Sequence, residues 1–214
     1  MPTTSSSPAH DSPSPVHDSP IGRRGSYTKG VARRQEILDR ALEVFRERGP
    51  QGTSLRRVAE EMGVSHGALL HYFSSREQLL LAVYEHTETH RHEMRAGEGP
   101  RDAGAVETLV EAASVNVQVP GFVQLYSSLV AGAVEEGSDE TKEFFTRRFD
   151  RVREETARRL RQQQEEGLVR EDLDVDKVAA LIVAASDGLQ TQWLLDSSID
   201  LEGALGIFAE MLRP

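Results

Sequence analysis

Residues 55–73 constrain this chain more than any other stretch. Leu55, Val58, Ala59 and Met62 recur at i, i+3, i+4 and i+7, one face of a helix, and Leu69, Tyr72 and Phe73 open a second apolar face a few residues later. Only a tight turn fits between them. Gly63 supplies the residue that can take a left-handed backbone, Val64 turns inward, and Ser65 caps the second helix as Ser54 or Thr53 caps the first. Ala59 is small where the two helices cross closely. A hairpin inside a helical bundle needs neither such short helices nor so polar an outer face on the second one. A helix-turn-helix needs both, because its second helix stands proud of the body and enters the DNA major groove.

The charge distribution agrees with that reading, although the total does not. Net charge is −10 over 214 residues, which opposes a polyanionic partner. Residues 21–84, however, hold eleven Lys and Arg against seven Asp and Glu, whereas residues 85–214 hold fourteen against 26. A basic contacting module on an acidic body is the implied arrangement. Arg23, Arg24, Lys29, Arg33 and Arg34 read as a basic arm before the first helix, able to enter a minor groove or to remain a solvated tail.

Elsewhere the period is helical throughout, and the chain reads as all-α. Residues 1–20 carry six serines and five prolines and read as a disordered tail without the apolar core of a secretion signal. From Val31 a stripe of Ile37, Leu38, Ala41, Leu42 and Phe45 marks a first helix, stopped by Gly49 and Pro50. A capping box, Ser74 with Glu77 or Ser75 with Gln78, opens a fourth helix after the two short ones. Further helices are expected near 105–117, 122–134, 140–166, 175–195 and 201–212. The domain division is then a tail (1–20), an N-terminal three-helix helix-turn-helix DNA-binding domain with its basic arm (21–76) and a C-terminal helical ligand-binding and dimerisation domain (77–214).

The motif residues Thr53-Ser54-Leu55, Val58-Ala59, Gly63-Val64-Ser65-His66-Gly67, His71-Tyr72-Phe73 and Ser75-Arg76-Glu77 resemble, in order and spacing, the signature of the tetracycline-repressor (TetR) family of transcriptional regulators. The resemblance covers about residues 34–84. It implies a homodimeric repressor that binds double-stranded operator DNA through the helix-turn-helix and releases it when a small molecule binds the larger domain. The DNA-contacting candidates are Arg33, Arg34, Ser54, His66, Gly67, Ala68, Leu70, His71, Tyr72 and Arg76. Ala68 stands where the family commonly has Thr, and Leu70 where it commonly has Tyr. Base readout therefore falls to His66 and His71, with Ala68 and Leu70 meeting thymine methyls. Ser54, His71, Tyr72 and Arg76 are the phosphate candidates, against alternatives of a simple cap for Ser54, core packing for Tyr72 and a solvated charge for Arg76.

In the larger domain the small residues of 178–188 permit close helix approach, and Leu201, Leu205, Phe208 and Leu212 add a second stripe. The resemblance implies that these last two helices pair across the dimer. Phe122, Tyr126, Phe149 and Trp193 are the ligand-binding candidates, with Leu125, Phe145, Val152, Asn116, Gln118, Gln124, Thr156 and Gln190 near them. The expected effector is largely apolar, with a polar anion least favoured because the domain is acidic. His86 and His90, one turn apart, have the spacing of a helical metal pair, but a solvated face accounts for them as well.

No glycine-rich phosphate loop, nucleophile elbow or metal-ligand set is present, and the chain has no cysteine, so an enzyme is not expected and no cofactor is called for. The longest uninterrupted apolar run, 178–185, is far short of the roughly 18 to 20 residues of a membrane span. A cytoplasmic protein without membrane contact is the expectation.

Overall fold

The computed structural model describes residues 21–48, 54–97, 103–135 and 139–214. Among them nine helices form and no strand: α1 (Ile21–Arg48), α2 (Leu55–Glu61), α3 (His66–Tyr72), α4 (Arg76–Gly97), α5 (Ala105–Val117), α6 (Pro120–Val134), α7 (Asp139–Glu165), α8 (Val175–Leu195) and α9 (Leu201–Met211). The Ser/Pro tail, Thr53 and the Gly49-Pro50 stop lie outside the described residues. The chain divides into two compact units, Met1–Gln35 and Glu36–Pro214.

Helix α1 starts ten residues before the Val31 expected from the sequence, so the basic stretch that reads as a flexible arm is helical. The apolar stripe begins only at Ile37, and Lys29, Arg33 and Arg34 are exposed. The first residues of the extension, Ile21 to Gly30, carry no repeating apolar stripe in the sequence, so there is no period to detect.

Helices α2 and α3 form as their caps dictate. Ser54 Oγ accepts from the Arg57 amide at 3.1 Å and Ser65 Oγ from the Ala68 amide at 3.1 Å. Gly63 sits at φ +64°, and the turn closes when the Val64 amide donates to the Ala59 carbonyl at 2.9 Å. Gln78 donates its amide to Ser75 Oγ at 3.0 Å, making Ser75 the cap of α4, while its side-chain carbonyl reaches back to the Ser74 amide at 2.7 Å. Gly104 before α5 offers no side chain, and Gln163 of α7 substitutes by accepting from the Ala105 amide at 3.1 Å.

Three apolar clusters hold the Glu36–Pro214 unit together. The largest gathers Ile37, Leu38, Ala41 and Phe45 of α1 with Leu55, Val58, Ala59, Leu69 and Phe73, and continues through Leu79–Tyr84 into Phe122, Leu125, Tyr126 and Phe145. Leu69, Phe73 and Leu79 are fully buried, each contributing about 1.5 to 3 kcal/mol of transfer free energy. The second cluster packs α5, α7 and α8 around Ala157, Leu160, Ala179 and Ile182; the third joins Ala113 to Leu201 and Leu205 with Trp193 against them. Helix α8 is long and apolar enough to span a membrane by length and composition, yet its Ala179, Ile182 and Val183 are buried in the fold.

Candidate DNA-reading face and ligand cavity

Burial separates the two sides of α3. Leu69 is fully buried and Phe73 closes the helix into the core, while His66, Gly67, Ala68, Leu70 and His71 are all exposed, Leu70 to 41%. Among the described residues, the exposed Leu70 between His66 and His71 joins none of the three apolar clusters. Tyr72 is half-buried against the large core, edge-on to His71 at 5.5 Å between ring centres. Ser54 is exposed and, having accepted one bond, keeps its hydroxyl proton free to donate. Arg76 is exposed at the first turn of α4. These residues share one unit. Arg33 and Arg34 belong to the other and are exposed there.

A second feature lies in the body of the molecule, a cavity of about 1090 Å3 between α4, α5, α6, α7 and α8. Of the residues expected there, Phe122 and Tyr126 line it, together with Asn116, Val152, Thr156 and Gln190. Phe149 instead packs against the large core and Trp193 against the α5–α9 cluster. Leu125, Phe145, Gln118 and Gln124 are also absent from the wall.

The lining is far more charged than the expected apolar pocket. Five arginines, Arg91, Arg148, Arg151, Arg158 and Arg159, face five acids, Glu88, Glu111, Glu155, Glu166 and Asp187. The deep end is built around Arg148, whose side chain is 18% exposed, and Glu88, at 17%. Arg148 Nε donates to Glu88 at 2.8 Å, and the guanidinium lies 5.0 Å from the Tyr126 ring centre. The Tyr84 hydroxyl donates to the same carboxylate at 2.8 Å. Tyr84 stacks on Phe122 at 5.1 Å, and Arg91 covers Phe122 at 4.2 Å. Arg91 also donates to Asn116 at 2.8 Å, Asn116 to Gln190 at 2.7 Å, and Gln190 to the Ser186 carbonyl at 3.2 Å, a polar relay from α4 through α5 to α8.

Asp187 accepts from the Tyr126 hydroxyl at 3.0 Å. Burial raises its carboxyl above the usual range, only partly offset by that bond and by Arg148. Burial and the Asp187 carboxylate likewise raise the Tyr126 phenol, so the shared proton stays on the tyrosine.

Glu88, Arg91, Arg148 and Asp187 were not among the sequence candidates, yet a signal existed. Thr141, Phe145, Arg148, Val152 and Thr156 recur at three and four residues along α7, which places an arginine on its inward stripe; Tyr84, Glu88 and Arg91 do the same on α4. The histidine pair resolves differently. His86 Nε2 lies 2.7 Å from Asp39 Oδ1 of α1, with the His90 ring 4.5 Å away, and no group able to hold a metal occurs among the described residues.

Comparison with known proteins decides the family. Residues 37–83 match the model of the bacterial regulatory proteins of the tetR family, and residues 122–213 match that of the BetI-type transcriptional repressor C-terminal domain. The chain belongs to the TetR family. It is 47% identical over 58 residues to the transcriptional repressor AcnR of Corynebacterium diphtheriae, an alignment covering 27% of this chain and 30% of that one. A longer match, to AcnR of Corynebacterium jeikeium, is 26% identical and covers 77% and 82%. The chain thus spans about a third of the length of the first curated relatives it matches.

Solved structures of transcriptional regulators share the fold over most of the chain. A regulator from Saccharomonospora viridis in complex with choline superposes with a TM-score of 0.71 at 21% identity, covering 84% of this chain and 96% of that one. A TetR-family regulator from a Rhodococcus species gives 0.67 at 24% identity, covering 84% and 98%.

Proposed function

We propose that this TetR-family chain is a one-component transcriptional repressor that binds operator DNA as a homodimer and is released when a small molecule fills the cavity. The observation that carries this reading is the exposed face of α3, held clear of the core by Gly63 and Leu69 while His66, Ala68, Leu70 and His71 are offered to solvent. Its DNA-contacting set is Arg33, Arg34, Ser54, His66, Gly67, Ala68, Leu70, His71, Tyr72 and Arg76. The division of labour falls between residues 76 and 77, with DNA contact before it and ligand binding and dimerisation after it.

Dimerisation is supported by exposed apolar side chains on α8 and α9: Leu181 at 64%, Leu195 at 86%, Ile207 at 56% and Met211 at 63%. Ala184 and Gly188 share the face of Leu181 and let a partner helix approach. Two α3 helices related by a two-fold axis address half-sites about 34 to 36 Å apart. The effector assigned to the cavity is an amphiphile, its apolar part against Phe122, Tyr126, Leu109 and Val152 and its polar part on the charged lining. The choline complex of the Saccharomonospora relative supports a small-molecule site in this fold. A cytoplasmic place and the absence of catalysis follow from the regulatory role.

A salt-titrated gel-shift assay on the DNA upstream of the gene tests the reading. Binding as a dimer, weakened by added salt, is expected; an affinity no better than for random duplex at low salt contradicts it.

A further inference from the structure

The acids that line the cavity are already provided with donors, while its central arginine is not. Glu88 accepts from Arg148, Arg151 and the Tyr84 hydroxyl, Glu155 from Arg158 and Arg159, Glu166 from Gln162, and Asp187 from Tyr126. Glu111 is partnered as well. Arg148 donates from Nε alone: among the described residues no acceptor bonds its Nη1 or Nη2, although both belong to a side chain only 18% exposed on the cavity wall. A guanidinium has five donors in a planar fork, and two parallel bonds to a carboxylate are its strongest use.

The aromatic groups point the same way. Quaternary ammonium ligands are held on the faces of aromatic rings. Here those faces are taken by the chain's own cations, Phe122 by Arg91 at 4.2 Å and Tyr126 by Arg148 at 5.0 Å. A cationic ligand would have to displace an arginine, whereas an anion finds two arginines in place. Asp187, the acid nearest Tyr126, is already engaged by the Tyr126 hydroxyl at 3.0 Å.

Resting on the assignment of the cavity as the effector site, we propose that its ligand is an anionic amphiphile, a small carboxylate with an apolar body, whose carboxylate seats on Arg148 in competition with Glu88. The competition gives the ligand a route to the DNA-binding end. Glu88 lies on α4, the helix that begins at Arg76, directly after the α3 segment. A carboxylate drawing the Arg148 fork toward the cavity loosens the tie between α7 and α4. A ligand shifts the DNA-binding equilibrium only through such a differential contact.

The test compares decanoate with decyltrimethylammonium and decanol, three probes with the same tail and different heads, by calorimetric titration of the intact protein. Decanoate is expected to bind tightest. Arg148→Gln should weaken it by about 10- to 100-fold, the value of charge-assisted hydrogen bonds, and leave decanol unchanged. Glu88→Gln should strengthen decanoate several-fold, because it removes the competitor; a purely structural role for the pair would weaken binding in both variants. Tighter binding of the ammonium probe, no binding of decanoate, or equal decanoate affinity in Arg148→Gln would overturn the ligand class. Operator affinity measured with saturating decanoate separates the two readings. Decanoate bound through Arg148 without any change in operator affinity would leave the ligand class standing and defeat the cavity as a sensor.

Discussion

Arg148 of α7 and Glu88 of α4 form an ion pair at 2.8 Å, both side chains less than one-fifth exposed. Removing one partner leaves the other desolvated, whereas the exposed pair of Arg147 and Glu143 one residue away is screened by water. Glu88→Ala is therefore expected to cost about 2 to 4 kcal/mol in urea unfolding, and Glu143→Ala less than about 0.5. Similar costs for the two would show that the inner pair is as solvated as the outer one.

Asp187 gives stability a pH dependence of known sign. Its carboxyl is raised above 3.8 by burial, so the folded protein binds the proton more tightly than the unfolded chain. Its contribution is then greatest in acid and is lost as pH rises through the folded value. Asp187→Asn keeps an acceptor for the Tyr126 hydroxyl and removes the charge. The variant should gain on the wild type as pH rises above about 4. A gain in the opposite direction would mean that Asp187 is stabilised as the carboxylate.

Much of this was legible in the sequence, for particular reasons. The short α2 and α3 announce themselves through Ser54, Gly63 and Ser65, and α5 and α8 begin and end where the pattern places them. The first ten residues of α1 escaped notice because they have no apolar stripe at helical spacing, so the sequence offers no period there. The charged cavity escaped for the opposite reason. Along 150–166 thirteen of seventeen residues are charged or amides, which reads as a solvated face, yet Arg151, Glu155, Arg158, Arg159 and Gln163 also line the cavity. Charge alone does not separate a water-facing stripe from a cavity-facing one.

Two glycines distinguish folding from function. Gly63 needs its left-handed φ although a methyl group there would meet no atom within 4 Å, so Gly63→Ala should cost about 1 to 2 kcal/mol from the backbone alone. Gly67 is an ordinary helical residue on the exposed face of α3, with only Ser65 Oγ at 4.0 Å from an added methyl. Gly67→Ala should stabilise the fold by up to about 0.5 to 1 kcal/mol and weaken DNA binding, because a methyl group there intrudes on an approaching backbone. Thermal unfolding alongside DNA titration checks this; unchanged DNA affinity would place Gly67 away from the interface.

The exposed stripe of α8 and α9 can be tested without DNA. Leu181→Glu and Met211→Glu alter side chains that are 64% and 63% exposed, so neither should disturb the fold of one chain. Sedimentation should show dimer for the parent and monomer for the pair of substitutions. A dimer that survives both would mean that another surface pairs.

Recognition of a specific operator is the central claim, and anisotropy titration of the intact protein and its His66→Ala and Arg76→Ala variants measures it most directly. The titrations use duplexes from upstream of the gene and scrambled controls, between 50 and 200 mM salt, about the range over which phosphate contacts weaken strongly. The parent should prefer its site by about 10^3 or more. Arg76→Ala should weaken every duplex alike and reduce the log–log salt slope by about 1, while His66→Ala should shrink the preference and leave the slope. Equal affinity for specific and scrambled duplexes at every salt concentration would contradict the account.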